Sequence, residues 1–460
     1  MTETTLDLPR RLLKQGNVAG AIEALERIEA AARDDHLMLQ QVAGLYLHCG
    51  QHERAGRCYA RSAELQPSNP DYVYNLATSK TAFGDLDEAE RLFTRAIQLN
   101  PQDAGAWLNR SILRRQTAES NHVEQLEAMR VQLAADDPGR IQVCFALAKE
   151  LEDLRRFDEA FAHLQEGAHR RRLSMQYDIA EDESAMAAIA RVFDRDMLAR
   201  PAAGFDSARP IFILGLPRSG TTLVDRIISS HSQVESQGEH TSLALAVMNL
   251  ATQAEDRATP AAGGKAALIE SSARIDFAAL GRRYCEAIEG FGNSAPRLVD
   301  KTPQNFLYLG LIHLALPNAR IIHMRRNPMD SCYAIYKTLF RAGYPFSYSL
   351  QEVGRYFIAY HRLMEHWRRT IPQSFLDVDY ERVIADPESE TRRLLDYLEL
   401  DWEDSCLEFH RHSGPAATAS AAQVRQPIYS SSVGLWRRYE RQLSPLAAKL
   451  REQGIDVDRY

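Results

Sequence analysis

A chain of 460 residues that is 45% apolar and 25% charged has the make-up of an ordinary soluble protein and the length for two or three domains, each with its own core. Its formal charge of −7 excludes a generally basic nucleic-acid binder while leaving room for local basic clefts. Cys49, Cys58, Cys144, Cys285, Cys332 and Cys406 are scattered without the paired spacing of a zinc site or disulfide framework, so no metal is expected and a reducing, cytoplasmic setting fits. The opening stretch, Met1 to Arg10, lacks a basic start followed by an apolar core. No apolar run approaches bilayer-spanning length, so neither a secretory signal nor membrane association is expected.

The first third repeats itself. Gly16, Gly50 and Gly84 recur every 34 residues, as do Ala21, Ala55 and Ala89; Leu25, Tyr59 and Phe93 follow, Pro67 is answered by Pro101, and Leu39, Val73 and Trp107 keep the register. The pattern resembles tetratricopeptide repeats, in which small residues let two helices pack closely, a large one fills the groove and proline ends the second helix. After Trp107 the register degenerates from Gln116 to Asp137, then a further unit appears with Ala148, Phe157, Ala160 and Leu164, which predicts an irregular repeat between two regular stretches. Such an array offers a concave face for a protein partner or substrate; the plainer alternative is a helical prop. We expect the array over residues 1–174 and a helical linker over 175–208, ending near Pro201-Ala-Ala-Gly204.

Pro210 to Val224 then reads as strand, loop, helix. Ile211 to Leu214 form a buried-strand run, Gly215 and Gly220 free the backbone to turn, and Thr221-Thr222 open a helix with Leu223, Ile227 and Ile228 as apolar positions. A loop of this kind aims backbone N–H groups and a positive helix end at one anion. The spacing of Gly215 and Gly220 copies part of a nucleotide-triphosphate loop, but Thr221 stands where that motif requires lysine, which disfavours an ATPase or kinase. The cation lies within the loop instead, as Arg218, whose fork suits two anionic oxygens.

Pro217-Arg-Ser-Gly-Thr-Thr222 resembles the 5′-phosphosulfate loop of sulfotransferases that use 3′-phosphoadenosine 5′-phosphosulfate (PAPS) and release 3′-phosphoadenosine 5′-phosphate (PAP). The likeness is nearest to tyrosylprotein sulfotransferases and their bacterial relatives with tetratricopeptide repeats, and it runs from about Arg209 to Leu446. It implies an α/β, P-loop-like domain over 209–460 with a mainly parallel sheet, following the all-α solenoid. Arg297 to Pro303 reads as strand into turn and Ala319 to Asp330 as a strand running into a helix, and this alternation points to the same sheet. Before them, the alanine-rich stretch up to Gly292 reads as helical with a loop at Pro260-Ala-Ala-Gly-Gly264.

The resemblance carries residue roles. It implies that Pro217, Arg218, Ser219, Gly220, Thr221 and Thr222 cradle the 5′ end of PAPS. Glu239 falls where the family carries the base that accepts the acceptor's proton, with His240 beside it as the rival. Lys301 in Asp300-Lys-Thr-Pro303 matches the lysine that stabilises the bridging oxygen, a charge that Arg218 would share. Arg326 matches the arginine on the 3′-phosphate, but the serine usual eight residues later is Ala334 here, so weaker nucleotide affinity is expected unless Ser331, Lys337 or water substitutes. Tyr380 would line the nucleotide pocket, and Ser420 and Arg425 of the carboxyl-terminal segment would contact phosphate. The aromatic and basic stretch from Tyr333 to Tyr348 suits either an acidic-peptide cleft or plain packing. The expected activity is transfer from PAPS to an acceptor hydroxyl, on a protein tyrosine or else on a small molecule or glycan; a silent repeat scaffold is the rival.

Overall fold

The 34-residue period has a conformational cause. Gly16, Gly50 and Gly84 sit at φ of 78, 69 and 81°, a left-handed turn that strains any other residue, and each joins two helices of the array. Helices Val18–Ala31, His36–His48, His52–Leu65, Pro70–Phe83, Leu86–Leu99 and Ala104–Leu113 succeed one another. Asn17, Asp35, Asn69 and Asp103 cap four of them, each accepting from a backbone N–H in the first turn. Ala21, Ala55 and Ala89 are fully buried where helices cross, with Leu25 and Phe93 beside them. The structure, a computed structural model, describes residues 5–200, 203–255, 264–292, 294–341, 343–411, 414–415, 418, 421 and 423–459.

The break after Trp107 is built around a buried acid. Glu150 accepts from Ser111 Oγ at 2.5 Å and from the His122 N–H at 2.6 Å, so the chain between these residues folds over Glu150 instead of forming a second repeat helix. A short helix, Val123–Gln132, precedes the antiparallel pair Gly139–Asp153 and Phe157–Leu173.

Five parallel strands follow in the order β2-β3-β1-β4-β5: β1 (Pro210–Gly215), β2 (Val234–Ser236), β3 (Arg297–Asp300), β4 (Arg320–Arg325) and β5 (Leu376–Asp379). Strands β2 and β5 span only 3 and 4 residues, and the sequence reading did not find them. Both faces of β1 are covered, as a parallel sheet requires. Ile211 and Ile213 share a core with Val224, Ile227, Leu394 and Leu395. On the other face Phe212 and Leu214 join a core that contains Phe306 and Trp367.

That second core does not stop at the sheet. Phe145, Phe161 and Leu164 of the array belong to it together with Tyr336, Tyr348 and Tyr356. Within 175–208, helix Ile179–Val192 adds Ile179, Met186 and Ile189 to the same core, and Glu183 accepts from Arg355 Nε of helix Leu350–Thr370 at 2.8 Å. Pro201 and Ala202 lie outside the described residues, as does 256–263, which includes most of the loop expected at Pro260–Gly264. The six cysteines are buried free thiols. No helix among the described residues is long and apolar enough to cross a membrane.

Candidate active site

The site lies at the carboxyl ends of the strands, where an open parallel sheet gathers its ligands. Strand β1 ends in the loop 216–220, β3 is followed by Lys301, β4 by Arg326 and β5 by Tyr380.

The loop is tightly determined. A Cβ on Gly215 would lie 2.6 Å from the Met324 carbonyl, and one on Gly220 would lie 2.5 Å from Tyr380 Cδ2; both glycines also hold positive φ, so neither tolerates a side chain. Ser219 is buried with its hydroxyl donated to the Leu216 carbonyl at 2.7 Å, so it braces the loop. Arg218 itself adopts φ 65°, a left-handed strain of the kind stored at functional turns. Helix Thr221–Ser229 opens without a side-chain cap, which leaves its first N–H groups directed at the loop. Pro217, Thr221 and Thr222 are buried in the turn.

At the end of β3, which pairs with β1, Lys301 is wholly buried and donates from Nζ to Glu239 Oε1 at 2.5 Å. The lysine side chain is 1% exposed and the glutamate 44%, so the carboxylate faces outward from a buried ammonium. Gly238, at φ 68°, turns the chain here, and its carbonyl accepts the Lys301 N–H at 2.9 Å. His240 points the other way. Its ring is buried against Tyr284 and Phe291, with centroids 6.3 and 5.2 Å away, and Nε2 stands 3.5 Å from Asp300 Oδ2.

Asp225, which the sequence reading missed, lies within reach of the charges of this pair. It is buried, and desolvation pushes its carboxyl up against the opposing pull of the Lys301 charge. Its spacing of four residues from Thr221 puts both on one helix face, and that spacing was the available signal.

A cavity opens between the loop and the carboxyl-terminal segment, lined by Arg218, Gly220, Thr222, Arg326, Ala334 and Tyr380 among others. Arg326 donates to the Arg218 carbonyl at 2.8 Å and the Ser432 carbonyl at 2.7 Å, and its guanidinium lies 4.7 Å from the centre of the Tyr380 ring. Its Nε is buried with no partner among the described residues. Burial, and after it the Arg326 charge, pulls the Arg218 guanidinium down from its ordinary range. Two arginines forced together beside a helix N-terminus suit a ligand with more than one negative charge.

Arg425 does not line this cavity. Its Nη2 donates to the Ala82 carbonyl at 3.1 Å and the Gly414 carbonyl at 2.6 Å, and burial lowers its guanidinium to about 10. Ser420 lies outside the described residues. In the aromatic stretch, Tyr333, Tyr336, Phe346 and Tyr348 are core. Tyr344 packs against Phe340 and Phe346, with ring centres 4.7 and 6.1 Å away, and burial, then the Glu239 charge, pushes its hydroxyl up.

Cys144, His163 and Glu166 of the array are close enough to share an ion. Glu166 is already paired with Arg130, Arg140 and Arg170, and burial pushes the Cys144 thiol up to about 12, so the donor set is a poor one for a metal.

Residues 210–404 match the Sulfotransferase family, and residues 70–103 match the Tetratricopeptide repeat. The chain carries a sulfotransferase-family domain. An uncharacterized protein of Aquifex aeolicus is 33% identical over 412 residues, 86% of this chain and 53% of that one, so the chain spans about half the length of this relative. A putative protein-tyrosine sulfotransferase of Caenorhabditis briggsae is 28% identical over 49% of this chain and 80% of its own, and protein-tyrosine sulfotransferase A of Caenorhabditis elegans is 25% identical over 51% and 62%. All of the site described here except the carboxyl-terminal segment falls within the matched sulfotransferase residues.

Proposed function

We propose that the sulfotransferase domain moves a sulfuryl group from PAPS to an acceptor hydroxyl, and that the acceptor is a protein tyrosine. The observation that carries this reading is the pair of Lys301 and Glu239, closed at 2.5 Å with the ammonium buried and the carboxylate outward, at the end of the strand that neighbours the one running into the loop with Arg218. PAPS supplies a sulfuryl group whose S–O bond to the 5′-phosphate breaks as the acceptor oxygen bonds to sulfur. Glu239 takes the acceptor's proton at its carboxylate. Lys301 and Arg218 hold the negative charge left on the bridging phosphate oxygen, a task of positioning and electrostatics.

The residues present fit a bisphosphorylated nucleotide. Arg218 and the N-terminus of helix Thr221–Ser229 would hold its 5′ end; Arg326, with its buried Nε unpartnered, would hold the 3′-phosphate, and Tyr380 would close the pocket wall. His240 is turned toward Asp300 and two rings, which favours Glu239 as the base. Tyrosine is favoured as acceptor by the names of the animal relatives.

Transfer of radiolabelled sulfur from PAPS into a cell lysate tests the reading, with the wild type compared against Lys301→Ala. Label that appears only with the wild type, and that migrates with protein as acid-stable sulfotyrosine, is expected. Label on a small molecule or glycan would keep the enzyme and replace the acceptor. Absence of label together with absence of PAP binding would remove the sulfotransferase activity altogether.

A further inference from the structure

One wall of the nucleotide cavity is held from the other half of the molecule. Glu152, in helix Gly139–Asp153 of the array, reaches into the sulfotransferase domain and accepts from Tyr333 Oη at 2.5 Å, Lys337 Nζ at 2.5 Å and Tyr439 Oη at 2.9 Å. Phe157 and Phe161, also from the array, pack around the Tyr439 ring at 5.5 and 5.8 Å. Burial alone would raise the Glu152 carboxyl, but the Lys337 charge and the three donors hold it below its ordinary value. A carboxylate gathered by three donors is a built feature and not a chance surface contact.

Lys337 follows helix Pro328–Tyr336, three residues beyond Ala334, so the two share a face. Side chains on a helix lean back toward its N-terminus, and Nζ stands 5.2 Å from the centre of the Tyr333 ring. The ammonium therefore lies back along the helix, toward Tyr333. Lys337, Ala334 and Arg326 line the same cavity. An ammonium has three N–H donors, and Glu152 takes one of them. The acid on this wall, Asp330, is occupied: its two oxygens accept the Gly434 and Trp436 N–H groups at 2.6 and 3.1 Å. The opposite wall is tied to the array as well, because Arg425, between the cavity residues Val424 and Gln426, donates to the Ala82 carbonyl.

We propose that Lys337, positioned by Glu152 of the N-terminal array, grips the 3′-phosphate of the nucleotide in the space left by Ala334, so that the array is a working part of the nucleotide site. This rests on the nucleotide reading given above. It gives the array a role besides docking, and it replaces a neutral hydroxyl contact with a cation.

The test is binding calorimetry on the full chain with two nucleotides, PAP and adenosine 5′-phosphate, which lacks the 3′-phosphate. Lys337→Met is expected to lower affinity for PAP at least about tenfold, the range of one charge-assisted hydrogen bond, and to leave adenosine 5′-phosphate within about twofold. Equal losses for both nucleotides, or no loss for either, would overturn the assignment. For the positioning role, Glu152→Gln is expected to weaken PAP binding in the wild-type background and to have no further effect in Lys337→Met; equal costs in both backgrounds would overturn it. Should Glu152→Gln fail to fold, Tyr439→Phe takes its place in the cycle, since it removes one donor from the carboxylate and leaves its charge. A wild type that binds neither nucleotide would bring down the sulfotransferase reading itself, and this assignment with it.

Discussion

Two lysine–glutamate pairs, each closed at 2.5 Å, flank the site and are turned in opposite senses. In one, Lys301 is 1% exposed beneath a Glu239 that is 44% exposed; in the other, Glu152 is 17% exposed beneath a Lys337 that is 29% exposed. The chemistry of the two pairs is the same, so burial decides which partner meets a ligand. On the proposed reading the first presents a carboxylate to the acceptor, and the second presents a cation to the nucleotide. In each, the deeper partner neutralises the outer one and fixes its position, because a charge left alone in the interior is costly.

Breaking the first pair should have the largest effect. Glu239→Gln keeps the shape and removes the base, and should lower kcat by about 10³ with nucleotide affinity unchanged, as single-turnover kinetics would show. A drop confined to KM would mean that Glu239 only binds the acceptor. Lys301→Ala should lower kcat about 10²-fold or more, the scale of one lost charge-stabilising donor, and ammonium or alkylamine added to the assay is the check, since partial rescue is expected.

Arg326→Ala separates the nucleotide side from the acceptor side. It should weaken PAP binding by roughly tenfold to a hundredfold and adenosine 5′-phosphate far less, read by calorimetry. Glu152→Gln should act on stability by about 2 kcal/mol at pH 7. The sign follows from the carboxyl lying below its ordinary value of 4.5 in the fold: the stabilisation is fully present above that pH and is lost as the pH falls from there through the lower value that the carboxyl has in the fold. Urea midpoints of wild type and variant should therefore differ at pH 7 and draw together as the pH is lowered below 4.5. The smallest effect belongs to His240→Leu, which should change kcat by no more than about threefold, since the imidazole sits among rings behind the carboxylate.

Legibility in the sequence followed the range of the interactions. The loop from Gly215 to Thr222, the strand into Lys301 and the helix after Arg326 were readable because a few neighbouring residues determine each turn. The repeats were readable because a left-handed glycine and a small crossing residue must recur with every unit. Strands β2 and β5 were not, since they are strands through their neighbours alone. Arg425 shows the same limit: its loop was read, by resemblance, as a phosphate-contacting segment, yet the guanidinium goes to Ala82 in the array.

By itself, then, the amino-acid order determined the two architectures, the anion loop and the likeness to sulfotransferases, since all of these depend on local spacing and on the backbone freedom of a few glycines. Only the tertiary structure decided which way Glu239, His240 and Arg425 point, that Asp225 is buried within reach of the Lys301 charge, and that Glu152 crosses from the array to the cavity wall. Glu152 and Lys337 are 185 residues apart in the chain. No local pattern joins residues at that separation; they meet because one hydrophobic core runs from the repeats into the sheet.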